Sequence, residues 1–356
     1  MTEAIDISIT KAGASKLKDI NLENIPFGKY FTDHMLEADY ENGEWKNVEI
    51  KPYQPMLMEP SLAALHYGQA IFEGIKAYKD EKGNAAIFRP DANFRRFNLS
   101  AARMNMPQVP EEIFIDGMKK LVDLDSNWIP ALPDHSLYIR PFMFSSDAML
   151  GVRPSDSYKF IIILSPTGPY YANPMKIAVE ENYSRAVRGG VGFSKNAGNY
   201  GGSMLAATKA KAAGFDQVLW TDAEEHKWLQ EVGMMNVFFL IGGKAITPSL
   251  EEGTILEGVT RASVIQGLKE MGIAVEERRI SIDEVLEAYD KGEVSEVFGT
   301  GTAAVIAPVC ELYYKGRSLA FKPEGYKISP AIKKWLADIR EGRAADTHGW
   351  MLPVKS

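Results

Sequence analysis

The residues best suited by type and spacing to do chemistry lie at positions 189–202, Gly-Gly-Val-Gly-Phe-Ser-Lys195-Asn-Ala-Gly-Asn-Tyr200-Gly-Gly. There one lysine stands among six glycines just before a helical pattern. Glycine at this density lets backbone pass close to another group. A lysine amine held there could act as a nucleophile or base once its proton is removed. An exposed glycine loop with a solvated lysine explains the same residues, and spacing alone leaves both readings open. The segment is not a P-loop, because G-x-x-x-x-G-K-[ST] is absent and Asn196 follows Lys195.

A second cluster, Gly299-Thr-Gly301-Thr302-Ala303-Ala304, fits the G-x-G-x-x-A pattern of dinucleotide folds after a strand-like run. Its context opposes that use. The chain continues Val-Ile-Ala-Pro308 with no long helix opening, and the acidic residue expected about 20 positions on is missing, with Leu319 in that neighbourhood. A third feature is Gly258-Val259-Thr260, directly before a helical pattern from Arg261. Open N–H groups and the helix dipole at such a start can hold a phosphate, and an ordinary capped helix explains the residues equally well.

Regular elements must position these clusters. A Pro/Gly-rich break, Ser165-Pro-Thr-Gly-Pro-Tyr-Tyr-Ala-Asn-Pro174, divides the chain. We therefore expect a smaller N-terminal domain over residues 1–165, its first 25 residues a loose arm, then a linker over 166–175 and a larger domain over 176–356. In the first half, helical spacing runs from Asp91, a candidate cap, to Pro107, with a second helix at 111–124 and strands near 137–144 and 158–164. In the second half, strand-like runs at 176–179, 217–220, 236–241 and 296–298 alternate with helical ones at 203–213, 260–271 and after the Ser281-x-x-Glu284 capping pattern. A last helix opens at Ser329-Pro330. The alternation predicts an α/β chain, α+β in the smaller domain.

With 356 residues, 46% hydrophobic and 24% charged, the chain has the balance of a soluble two-domain protein. A net charge of −7 argues against general affinity for nucleic acid or an anionic membrane. The apolar runs are far shorter than the roughly 20 residues a membrane helix needs. The N-terminus lacks the pattern of a secretory signal, so a cytoplasmic location is expected. The lone Cys310 and five scattered histidines predict neither an internal disulfide nor a metal site.

Six ordered motifs then carry a resemblance over residues 27–354: Leu65-His-Tyr-Gly-Gln-Ala-Ile-Phe-Glu-Gly74, Phe88-Arg-Pro, Lys195-x-x-Gly-Asn-Tyr-Gly, Gln230-Glu-Val-Gly-Met-Met-Asn236, Leu256-Glu-Gly-Val-Thr-Arg261 and Phe298-Gly-Thr-Gly-Thr-Ala303. In this order the chain resembles the branched-chain amino acid aminotransferases, fold type IV enzymes dependent on pyridoxal 5′-phosphate (PLP). The resemblance implies transfer of an amino group between leucine, isoleucine or valine and 2-oxoglutarate. It makes Lys195 the Schiff-base lysine, Glu231 the carboxylate on the pyridine nitrogen, and Tyr200 the phenol near the cofactor's 3′-oxygen. Arg96, with Val259, Thr260 and Thr302, would hold the phosphate, and Arg185 is a weaker candidate for the same pocket.

The same resemblance places the substrate's α-carboxylate near Tyr67, Thr302 and Ala303. Phe72, Tyr138, Tyr200 and Met234 would wall an apolar pocket, and Arg140 would receive the second carboxylate of glutamate. Tyr67 and Val152 resemble positions that approach a neighbouring subunit, so a homodimer is implied. Met234 stands where some members carry threonine, a departure that bears on side-chain preference. Other fold type IV enzymes, a D-amino acid aminotransferase or an aminodeoxychorismate lyase, would share Lys195 and Glu231. The Tyr138-x-Arg140-Pro141 and Tyr67 segments favour the branched-chain reading.

Overall fold

A computed structural model describes residues 5–171 and 173–355. The first four residues of the expected arm, residue 172 of the expected linker and the final residue lie outside the described residues. The chain divides into two compact units. One comprises Met1–Tyr170, Ser194–Ala197 and Asp338–Ser356, the other Tyr171–Phe193 and Gly198–Ala337.

The first unit is built on a nine-stranded sheet. Its order is Ser8–Ile9, Glu44–Pro52, His34–Glu41, Tyr158–Thr167, Ser136–Ser145, Ile75–Lys79, Ala85–Phe88 and Met351–Pro353, with Ala70–Phe72 against Ser136–Ser145. The continuous apolar run of Tyr158–Thr167 suits a central strand buried on both faces. It lies antiparallel between its neighbours, Leu36 opposite Ile162 and Arg140 opposite Ile163. The helix Pro90–Arg103 covers the sheet through Phe97 and Ala101, and Phe97 meets Phe160 edge-on at 5.5 Å between centroids.

Three expectations for this unit change. Arg89, left-handed at φ 48°, takes the cap position ahead of Pro90, and Asp91 instead sits in the first turn, paired with Arg95 at 3.0 Å. Residues 8–9 of the expected arm form a parallel edge strand, Ser8 opposite Glu49. Residues 338–356, assigned by sequence to the larger domain, belong to the first unit because Met351–Pro353 completes its sheet against Ala85–Phe88.

The second unit has its own nine-stranded sheet. Its order is Leu229–Val232, Gln217–Thr221, Met175–Val179, Val305–Tyr314, Val294–Gly301, Met235–Ile241, Lys244–Thr247 and Val275–Glu277, with Arg317–Ala320 on Val305–Tyr314. Helices Val259–Glu270 and Ile282–Asp290 fall where spacing predicts, and the Ser281 hydroxyl accepts the Glu284 N–H at 3.1 Å. The helix Ala197–Ala212 starts six residues before its expected position. It runs through Gly201 and Gly202, whose missing side chains face open space. The last helix, Ile328–Arg340, is capped from a distance: the Glu296 carboxylate accepts the N–H groups of Lys327, Ile328 and Ser329 at 2.6–2.8 Å. Among the described residues, no helix is long and apolar enough to cross a membrane.

Candidate active site

In the first unit, Lys195 is half-buried on a four-residue segment tied to the strand Ala70–Phe72. Phe72 N–H donates to the Lys195 carbonyl at 3.1 Å, and Asn196 bridges Ile71. The Lys195 N–H donates to the Ser100 hydroxyl at 2.9 Å, so the helix Pro90–Arg103 fixes the lysine's backbone as well. Its Nζ stands 5.0 Å from the centre of the Phe72 ring. Arg96, one turn before Ser100 on that helix, is buried and makes a two-pronged ion pair with Glu73. Nε donates to Oε1 and Nη2 to Oε2, each at 2.7 Å. Burial opposes charge on the Glu73 carboxyl, but the charge and hydrogen bonds of Arg96, the charge of Lys195 and the Asn93 amide together hold it below the usual carboxylate range.

Arg140 and Tyr138 lie on the strand Ser136–Ser145, two residues apart and therefore on one face. Arg140 Nη2 donates to the Tyr138 hydroxyl at 3.0 Å, and the guanidinium carbon stands 4.7 Å from the Phe72 ring centre. Its Nε is buried without a hydrogen-bond partner. Glycine is required at position 74: a Cβ there would come within 2.1 Å of the Tyr138 hydroxyl. Tyr67 closes the short helix Ala63–Tyr67 with an exposed side chain. The first unit thus groups Lys195, Arg96, Phe72, Tyr138 and Arg140 around the strand Ala70–Phe72.

In the second unit, Glu231 is buried on the strand Leu229–Val232. Its Oε1 accepts the Leu256 N–H at 2.8 Å, and its Oε2 lies 2.9 Å from Arg185 Nε. That second approach is an ion pair without the alignment of a hydrogen bond, since Arg185 Nε has no aligned acceptor. Arg185 is itself fixed by Nη2, which donates to the carbonyls of Gly192 and Thr254 at 3.1 and 2.6 Å. Asn236, opposite Glu231 in the hairpin, donates to the Leu256 carbonyl at 3.0 Å.

The same segment leads into the helix Val259–Glu270, whose start has no side-chain cap and no acidic residue in its first turn. A Cβ at Gly258 would stand 1.9 Å from the Asn236 amide oxygen, so only glycine fits that approach. Val259 and Thr260 are buried in the first turn. Thr302 and Ala303 occupy the turn after Val294–Gly301, and Val305 beyond it carries φ +59°, a strained value for a β-branched residue. Met234 occupies the exposed turn between Leu229–Val232 and Met235–Ile241, and Tyr200 is half-buried on Ala197–Ala212.

Sequence reasoning named Arg185 only as a phosphate candidate and gave Glu73, Asn93 and Ser100 no role. Glu73 lies inside a quoted motif, but its partner is 23 residues away and nothing in the spacing joins them. No group of three or more His, Cys, Asp or Glu among the described residues is placed to hold a metal ion.

Two mixed sheets, a lysine held by backbone beside a glycine-rich stretch, and a buried carboxylate ahead of an uncapped helix point to one class. The class IV amino-transferase pattern matches residues 70–312, and the chain belongs to that family. Within it, the relatives are branched-chain enzymes, and the chain belongs with them. It is 50% identical over 337 residues, 93% of this chain and 94% of the relative, to a probable branched-chain-amino-acid aminotransferase of Staphylococcus epidermidis. It is 48% identical over 337 residues, 93% of this chain and 94% of the relative, to branched-chain-amino-acid transaminase 1 of Bacillus subtilis. The solved branched-chain amino acid aminotransferase of Escherichia coli superimposes with a TM-score of 0.74 at 26% identity, over 90% of this chain and 99% of that one.

Proposed function

We propose that the protein transfers amino groups reversibly between leucine, isoleucine or valine and 2-oxoglutarate, using PLP. The observation that carries this reading is the near-full-length identity to branched-chain-amino-acid enzymes, together with the fixed Lys195 and Glu231. PLP, when bound, supplies an electron sink for the substrate's α-carbon. The residues fit such a group. They offer an amine, a guanidinium, a buried carboxylate and an uncapped helix start, and the glycine at 258 has no room for a side chain.

Lys195 Nζ holds the cofactor and moves the proton at the substrate's α-carbon. Glu231 keeps a proton on the pyridine nitrogen. Arg96, with Val259, Thr260 and Thr302, would bind the phosphate, and Tyr200 would hydrogen-bond the ring's oxygen. Tyr67, Thr302 and Ala303 take the substrate's α-carboxylate. Phe72, Tyr138 and Met234 wall its side chain, and Arg140 receives glutamate's second carboxylate. The test is substrate exchange: leucine and 2-oxoglutarate should yield glutamate and the branched oxo acid, and no product with either partner would end the reading.

A cytoplasmic homodimer is the form in which we propose the enzyme acts. Leu57, Leu65, Tyr67, Leu150 and Val152 are exposed in the first unit, Val152 at 89%. The two segments carrying them are joined by the Ala63 N–H to Asp147 carbonyl bond at 2.8 Å and the Leu62–Ala148 bridge. An apolar patch of this kind supports contact with a second copy.

A further inference from the structure

The carboxylate of Glu73 is fully buried and has four donors within reach. Arg96 Nε meets Oε1, while Arg96 Nη2, Asn93 Nδ2 at 2.8 Å and the Gly74 N–H at 3.1 Å meet Oε2. Asn93 also donates to the Gly74 carbonyl at 3.3 Å, tying the helix Pro90–Arg103 to the turn after Ala70–Phe72. A guanidinium gripped along its Nε and Nη2 side cannot rotate about its last bonds, so its plane is held in one orientation. The same turn follows directly on Phe72, whose N–H holds the Lys195 carbonyl.

We propose that Glu73 is a positioning residue for the cofactor's phosphate: its buried carboxylate holds the Arg96 guanidinium in the single orientation in which it would bind the ester. This inference rests on the proposed role of Arg96 and goes beyond it by asking what aims the guanidinium.

The experiment compares PLP with phosphate-free pyridoxal, each bound to full-length protein stripped of cofactor, for the unchanged chain, Glu73→Gln and Glu73→Asp. Glutamine presents one acceptor oxygen, and its amide turns donors toward Arg96 or Asn93. Glu73→Gln should weaken PLP binding by at least about tenfold and change pyridoxal binding by less than about threefold. Glu73→Asp keeps the charge on a shorter arm, so it should lose part of the preference for PLP. Equal losses for both ligands would show that Glu73 only packs and would overturn the proposal. If Glu73→Gln does not fold, Glu73→Asp decides the matter, since an undiminished preference for PLP in it overturns the proposal. A chain with its native Glu73 that shows no preference for PLP over pyridoxal would instead contradict the proposed role of Arg96.

Discussion

Arg185 Nε lies 2.9 Å from Glu231 Oε2, while Oε1 of the same carboxylate accepts the Leu256 N–H. Two independent segments thus hold one buried acid, and both side chains are almost fully covered. Arg185→Gln should leave the buried Glu231 charge without its guanidinium partner. Breaking a buried pair from one side costs about 3–5 kcal/mol. The melting temperature should fall by several degrees and PLP should bind about tenfold more weakly. Thermal unfolding with a PLP titration measures both, and a variant matching the parent in both would remove Arg185 from the account.

Arg140 offers a selective test. Its guanidinium sits on Phe72 and Tyr138 with Nε unpartnered, suited to a carboxylate that leucine lacks and glutamate has. Arg140→Ala should reduce kcat/KM for glutamate about a hundredfold and for leucine less than about threefold. Half-reactions followed separately give the ratio, and equal losses in the two would contradict the assignment.

Acid stability should depend on Asp222. Burial raises the cost of its charge, but backbone N–H groups of Glu225, Trp228, Lys227 and Glu224 outweigh this and hold its carboxyl below the ordinary value of 3.8. The folded state then binds the proton less readily than the unfolded state. The stabilisation is therefore complete above about pH 4 and is lost as pH falls through the lower, folded value. Asp222→Asn should cost about 1–3 kcal/mol at pH 7, with the gap to the parent closing below about pH 4. Denaturant melts at pH 7 and pH 3 check it, and a gap of the same size at both would count against the carboxylate's charge.

Association should be sensitive to the exposed apolar patch. Val152→Asp should shift the protein from dimer toward monomer in light scattering after size exclusion, with its melting temperature as a monomer little changed. A parent protein that is monomeric at assay concentrations would refute the dimer directly.

How much of this was legible in the sequence follows from the range of each interaction. Lys195 and Glu231 stand in short motifs, and the elements around them follow from local periodicity, so strands such as Met175–Val179 and Met235–Ile241 fall where expected. Pairings across long separations were not legible. Glu73 and Arg96 meet across a strand and a helix, and Glu296 caps a helix from 31 residues away. Met351–Pro353 joins the first unit's sheet through hydrogen bonds to residues more than two hundred positions earlier. Nor does the glycine content of residues 197–202 announce a helix, because intrinsic preference opposes one there.

Lys195→Ala should fold normally and lose at least about a thousandfold in turnover, since in the proposed function one amine would serve as both anchor and proton carrier. Circular dichroism beside a coupled glutamate assay separates the two effects.

The most direct measurement is the absorbance of the purified PLP-loaded enzyme during addition of L-leucine, followed by 2-oxoglutarate. The account predicts that the long-wavelength cofactor band falls with leucine and returns with the oxo acid. A band indifferent to both, in a protein that has taken up PLP, would contradict amino-group transfer at Lys195.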